Sequence, residues 1–332
     1  MGYLALPYIG SFQTGPRIVT EHPLEEVWSH VARLGITSYV KTLVATTSAP
    51  WDTWAPYAIV RIRQAVEFRR ASQGASLLTR PLAQYYSVLN LTRAMHALKT
   101  EVPPTPGHGL KFERAGSLLD CTARPDRGTF ADYLAAHQLP KVSDTFTLRD
   151  CLAHIPEIGD EFNALGEGYT RCLGLDVHAL MDGEVRLEFY CPWDPNGFRN
   201  DWATWFPDLA GACTLEPEGT VLRVTPGDAT KSYESIAAFL DSKLWTNLVW
   251  SDFRALWYAR MAGPLTPLPR PAYYFLSLYI LSNVVRYTPE QLSPLTNPDS
   301  HVGWTVERFL NAAERFYPQL MFHWTPARKV FF

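Results

Sequence analysis

Pro81-Leu-Ala-Gln-Tyr-Tyr-Ser-Val-Leu-Asn-Leu-Thr-Arg-Ala-Met-His-Ala-Leu98 contains no helix breaker after its first residue. Proline suits that first turn, because the N–H it lacks would have no partner inside the helix. At ~100° per residue, Val88, Leu91, Met95 and Leu98 share one face, and Leu82, Tyr86, Leu89, Arg93 and His96 share the opposite one. A helix apolar on two sides lies between other elements, so a central buried helix is predicted near residues 81 to 100. Its second face sets Arg93 among Leu and Tyr side chains, where a charge needs a partner.

On the amino-terminal side, Ile59, Ile62 and Val66 recur at spacings of three and four, which predicts a helix from Tyr57 to Ala71. Arg63, Arg69 and Arg70 fall off that stripe, either as a solvated face or as contacts for nucleic acid. Residues 1 to 55 read as an extension packed on the body, with one helix from Leu24 to Leu34 favoured by Glu25 and Glu26 at its start. On the carboxyl side, residues 101 to 128 read as a Pro- and Gly-containing connection, followed by short helices at Phe130 to Ala136 and Leu148 to His154. Thr147 and Asp150 form a capping-box-like start to the latter.

The texture changes to strands between Leu175 and Thr225. Asp182-Gly183 separates alternating apolar residues (Val177, Ala179, Met181 and Val185, Leu187, Phe189), a hairpin signal. A second strand pair is expected at Cys213 to Leu215 and Val221 to Val224. Helices are predicted again from Ser232 to about Ala262, Pro271 to Tyr287 and Thr305 to Phe316, with the Pro-rich Gly263 to Pro271 as a stiff connector. The expected fold is mainly α (α+β), a helical bundle with a small inserted antiparallel β-sheet. It divides into residues 1–55, 56–174, 175–230 and 231–332.

At 47% hydrophobic residues the 332-residue chain can bury one large core or two modest ones, and disorder is not expected for most of it. A formal net charge of -3 argues against a globally basic nucleic-acid binder and leaves room for a local basic patch. Cys121, Cys151, Cys172, Cys191 and Cys213 form no C-x-x-C pair and read as free thiols of a reducing, cytoplasmic compartment. The start of the chain carries no export or lipid signal, and the longest near-apolar stretch, Ala272 to Val285, falls short of the ~20 residues needed to span a bilayer. No membrane partner is expected. The histidines never fall in H-x-x-x-H or H-E-x-x-H form, so neither a metal site nor a cofactor is predicted. Gly227 to Ser232 lacks the glycine and spacing of a phosphate-binding loop. The Trp-rich run from Trp193 to Trp205 reads as a loop whose tryptophans cover the sheet, with base stacking as the alternative.

The segment Tyr85 to Ala94, followed by His108-Gly109, resembles the signature helix and following turn of HEPN-type helical domains. More widely, residues 80 to 325 resemble the bacterial YaaC-like family. The likeness rests on the Tyr-Tyr helix, His108-Gly-Leu110, the hairpin region, Ser282-Asn-Val-Val-Arg-Tyr-Thr-Pro289 and Phe309-Leu-Asn-Ala-Ala-Glu-Arg-Phe-Tyr-Pro318. The HEPN resemblance implies an up-and-down helical bundle, frequent dimerisation, and either metal-independent RNase activity or a noncatalytic binding role, in stress or phage defence. Its catalytic members carry an Arg followed four to six residues later by a His, and Arg149-Asp-Cys-Leu-Ala-His154 fits that spacing. In such a pair the imidazole shuttles a proton and the guanidinium stabilises the developing phosphorane charge. On a regular helix the two lie ~140° apart, so the pair requires a helix break after His154, which Pro156 favours, or two subunits.

Arg93, His96, Tyr86 and His108 form the rival site, for a ligand or a partner. Arg93 and His96 share a helical face with Tyr86 a turn and a half away. The competing reading pairs Arg93 with a buried carboxylate and makes His96 a satisfied core histidine. Two function classes follow: an RNA- or nucleotide-associated protein with Arg149 and His154 as its cleaving pair, or a noncatalytic interaction or scaffold subunit, as a homodimer or with a partner protein.

Overall fold

The computed structural model describes residues 22–43, 50–139, 141–179, 185–189, 195–216, 221–224, 243–251 and 254–324. They fall into two units, one from residues 22–169 and 268–324 and one from residues 170–267. In chain order the first begins with α1 (Pro23–Arg33), α2 (Thr37–Leu43), α3 (Ala55–Gln73) and α4 (Arg80–Thr100). It continues through β1 (His108–Glu113), β2 (Thr122–Gly128), α5 (Thr129–Ala136), β3 (Phe146–Thr147), α6 (Leu148–Ala153) and α7 (Gly159–Asn163). The other unit carries β4 (Cys172–Ala179), β5 (Val185–Phe189), α8 (Pro195–Trp205), α9 (Pro207–Ala210), β6 (Cys213–Leu215), β7 (Val221–Val224), β8 (Trp245–Ser251) and β9 (Arg254–Arg260). The chain returns to the first with α10 (Arg270–Tyr287), α11 (Ser293–Thr296) and α12 (His301–Trp324). The fold is mainly α with small antiparallel sheets.

Helix α4 is the axis of the first unit. It packs against α3, α10, α12 and α5, and both predicted apolar faces are covered, with Val88, Leu89, Leu91 and Met95 buried. Its buried polar groups reach neighbouring helices: Ser87 Oγ donates to the Ala65 carbonyl (2.8 Å), Gln84 Nε2 to that of Leu310 (3.1 Å), and the Thr92 and Tyr317 hydroxyls bond each other at 2.5 Å. These bonds fix the rotation of α4, because a buried polar group without a partner costs ~1–3 kcal/mol. Helix α10 is buried from Arg270 through Val284, as the near-apolar stretch from Ala272 to Val285 predicted despite its Ser277, Ser282 and Asn283. No helix among the described residues is long and apolar enough to cross a membrane.

The connection expected at 101–128 contains a hairpin instead. Strands β1 and β2 pair antiparallel with a bulge between His108 and Leu110, and β3 joins β2 at Thr122 and Ala123 alone. Pro125 sits in the central strand without cost to the second ladder, since β3 ends before reaching it. Gly109 and Gly128 have φ of +81° and +139°, and a Cβ on Gly109 would lie 2.7 Å from the Phe130 nitrogen. Only glycine permits that crossing of two backbones.

The second unit is a sheet of order β6-β7-β5-β4-β9-β8. The predicted hairpin pairs Leu175 with Phe189 and Ala179 with Val185, while its Asp182-Gly183 turn lies outside the described residues. Leu173, Leu175, Leu187, Phe189, Phe198 and Trp257 build its core, and Trp202 and Trp205 pack against it in the covering role read for them, though from helix α8 and not from the loop expected there. Trp193 and Cys191 lie outside the described residues. The helix predicted from Ser232 to about Ala262 is wrong at its described end. Residues 245–251 and 254–260 are paired strands, β9 being held on its other side by β4. Cys121, Cys151, Cys172 and Cys213 are buried free thiols, and burial holds their pKa values up, that of Cys213 to about 11.

Candidate functional site

The proposed cleaving pair sits at the two ends of α6. Thr147 and Asp150 close the capping box at its start, the Asp150 N–H donating to Thr147 Oγ1 (2.9 Å) and the Thr147 N–H to Asp150 Oδ2 (3.0 Å). His154 is the C-cap, and Ile155 turns extended (φ −107°, ψ 100°) ahead of Pro156. The helix therefore breaks where Pro156 demanded.

The two side chains then engage different neighbours. Arg149 is clamped between two carboxylates, Asp120 (3.0 Å) and Glu167. The Ser117 hydroxyl, and then Arg149, hold the Asp120 carboxyl below its usual range. His154 donates from Nδ1 to the Asp150 carbonyl (2.7 Å), and its ring lies flat on Tyr273, 4.4 Å between centroids and 3° between planes. A guanidinium neutralised by two acids has little charge left to offer a phosphorane.

The rival face of α4 looks different. Arg93 is half-buried, and its Nε donates to Thr129 Oγ1 and a terminal nitrogen to the Gly107 carbonyl, each at 3.0 Å. No carboxylate lies within ion-pair distance of it among the described residues, so the reading that paired it with a buried acid is not what the structure contains. One turn earlier, Asn90 Oδ1 accepts from Arg61 of α3 (3.1 Å), which also donates to Gln64 (2.9 Å) and lies over the Tyr57 ring. His108 opens β1 and exchanges a 2.6 Å hydrogen bond through Nδ1 with the Tyr85 hydroxyl. Tyr279 of α10 packs on both, its ring 5.6 Å from Tyr85 and 6.1 Å from His108. Two turns along the same face of α10 stands Arg286, bonded to Asn283 Oδ1 (3.1 Å) and to the Ser282 carbonyl (3.2 Å).

Arg61, Arg93 and Arg286 thus rest entirely on neutral oxygens, with no acid paired to any of them among the described residues. Their fields overlap. Burial first, and then Arg61, lower the pKa of Arg93. Burial, then Arg93 and Arg286, push the His108 imidazole below its ordinary value. Burial, with Tyr279 next, drives the Tyr85 phenol well up, so Tyr85 stays a neutral hydroxyl. Cations that feel one another without an anion cost free energy.

The predicted residues separate accordingly. Tyr86 stays beside the cluster, stacked on Phe68 at 5.2 Å and tilted against Tyr85. His96 leaves it: its Nδ1 lies 3.2 Å from both the Val102 carbonyl and the Thr100 hydroxyl, and burial lowers its pKa, as suits a satisfied core histidine. Arg61, Arg286, Tyr85 and Tyr279 were not singled out from sequence. For Arg61 and Arg93 a signal existed, since neither has an acid three or four residues away on its helix. Among the described residues no three of His, Cys, Asp and Glu gather into a metal cradle.

No curated protein and no solved structure matches the chain. The family described as YaaC-like Protein matches residues 51–325, which include all of α3, α4, the β1–β2 hairpin and α10, and with more than half its length so matched the chain belongs to that family.

Proposed function

We propose that this chain is an RNA- or nucleotide-associated binding protein that holds a phosphate group on Arg61, Arg93 and Arg286, and that Arg149 and His154 are structural. The observation that carries the proposal is that three arginines, one each on α3, α4 and α10, bond neutral oxygens alone among the described residues. Guanidinium groups recognise phosphate through paired N–H donors, and a site already stripped of competing carboxylates leaves those donors and their charge for the ligand. The HEPN resemblance of residues 85–110 supports the same ligand class, and the stress- or phage-defence setting rests on that resemblance alone.

Fluorescence anisotropy with labelled single-stranded RNA, alongside competition by nucleotides, tests the proposal. Wild-type protein is expected to bind, to weaken as salt rises, and to lose most of its affinity in Arg93→Gln. Equal binding by wild type and Arg93→Gln would refute the site. Displacement of RNA by polyglutamate at equal charge concentration would move the assignment to an acidic protein partner. Cleavage of RNA in excess EDTA, lost in both Arg149→Ala and His154→Ala, would overturn the structural role given to that pair.

A further inference from the structure

Helix α3 leaves one stripe uncovered. Val60, Gln64, Phe68 and Ala71 recur at spacings of four, four and three, so they share a face, and together with Arg63 and Glu67 they line a groove of about 530 Å³. Small-molecule sites run from roughly 300 to 1,000 Å³. The groove is mostly apolar: Val60 is 51% exposed in it, and Phe68, which the Tyr86 ring stacks at 5.2 Å, gives it the rest of its surface. Arg63 and Glu67 stand four residues apart, a spacing at which opposite charges on a helix meet. Each turns to another neighbour instead, Arg63 Nε donating to the Gly35 carbonyl (3.0 Å) and Glu67 accepting from Arg70 (2.7 Å). The terminal nitrogens of Arg63 and the second carboxylate oxygen of Glu67 have no partner among the described residues. Gln64 accepts from Arg61 at 2.9 Å, which ties the groove to one of the arginines assigned to phosphate.

From these six residues we infer that the groove holds a guanine base. The inference rests on the nucleotide-binding reading above and adds the base to it. Bases lie on aromatic and apolar side chains where they are read singly, and Val60, Phe68 and Ala71 supply such a surface. The polar groups then choose the base. A guanidinium donates in pairs to guanine O6 and N7. A carboxylate only accepts, so it needs two N–H donors side by side, which guanine presents at N1 and N2. Guanine carries that acceptor pair and that donor pair on adjoining edges, matching a cation and an anion one helical turn apart. Adenine would set its N1 lone pair against Glu67 and its amine against Arg63. Cytosine and uracil each place an acceptor beside their donor, and it would face the same carboxylate. Arg61, bonded to Gln64, sets a phosphate-binding donor beside the groove.

The experiment compares GMP, IMP, AMP and guanosine by isothermal titration calorimetry, IMP differing from GMP only in lacking the N2 amine. Wild-type protein is expected to bind GMP roughly tenfold or more tightly than AMP, with IMP between them, since one bidentate base contact discriminates by about that factor. Glu67→Gln, at a side chain 69% exposed where the change does not threaten folding, should bring GMP down to the level of IMP and leave AMP as it was. Equal affinity for GMP, IMP and AMP, weakened together in Arg61→Gln, would overturn the guanine assignment and leave the phosphate reading standing. Guanosine bound as tightly as GMP, with the same loss in Glu67→Gln, would uphold the base site and overturn the phosphate. No binding of any of the four by correctly folded wild-type protein would overturn both, and a dimer dispersed by Val60→Asp in sedimentation velocity would then give the groove to a second copy of the chain.

Discussion

Replacing Glu314 with Gln tests whether the first unit depends on a buried charge network between α12 and the two helices α3 and α4. Glu314 is 7% exposed and accepts from Arg69 Nε and from Arg80, each at 3.0 Å, and those arginines are 12% and 16% exposed. Removing one member of a buried pair costs ~3–5 kcal/mol, because its partner is left charged and dry. Here two partners are stranded, but each keeps a second contact: Arg69 has Glu25 at 3.7 Å and Arg80 has Asn311 Oδ1 at 2.8 Å. The loss should therefore sit near the low end, about 3 kcal/mol, or about 6–12 °C in Tm for a unit of this size. Urea and thermal denaturation followed by circular dichroism measure it. Adding Arg80→Gln to Glu314→Gln should then cost little more, since the two act as one unit. A loss under ~1 kcal/mol would refute the reasoning and class the contact with ordinary surface pairs.

Gly109→Ala should destabilise by at least ~2 kcal/mol, since φ is positive there and the new Cβ would strike the backbone of β2, whereas Gly74→Ala, with nothing within 4 Å, should stay within ~0.5 kcal/mol. Because Gly109 adjoins His108, the same variant should weaken phosphate binding out of proportion to its effect on helicity. Acid sensitivity is expected from His137, whose Nε2 is buried with no hydrogen-bond partner among the described residues and whose ring lies 4.8 Å from that of Trp324. Burial, and then Lys99, lower its pKa to about 4. The unfolded chain, titrating near ~6.5, binds the proton first, so stability should fall as pH drops from about 6.5 to about 4. His137→Phe keeps a ring against Trp324 and should flatten part of that slope in urea denaturation, the rest belonging to His96 and His108, which are also depressed. An unchanged slope would show that His137 is not buried as a neutral ring.

The sequence by itself determined the helical framework. Helix α4 is apolar on two sides and α10 carries a near-apolar stretch, and no other placement satisfies helices of that kind, so their burial followed from the sequence pattern. The break after α6 followed from Pro156, and the β4–β5 pairing from alternation around Asp182-Gly183. Strands β8 and β9 were misread because short apolar runs with Leu and Trp at mixed spacings serve either helix or strand. Pairing of β9 with β4, where Arg260 meets the distant Cys172, and of β8 with β9 settles which. The hairpin at 108–128 was hidden by Pro125, which is tolerable only because β3 is too short to need its N–H.

The site divides in the same way. Arg93 and Tyr86 stood out in sequence because a cation among apolar residues is a local anomaly, and His108 because its His-Gly turn resembles that of HEPN-type domains. That Arg93 lacks an acid among the described residues, that His96 is satisfied elsewhere, and that Arg61 reaches its helix from α3 are facts of contact between separate segments. Charge pairing depends on distance in space, and a sequence specifies spacing along one helix only. Which arginines find a carboxylate, as Arg149 does with Asp120 and Glu167, and which rest on neutral oxygens, as Arg93 does on Thr129 and Gly107, was decided by the tertiary structure.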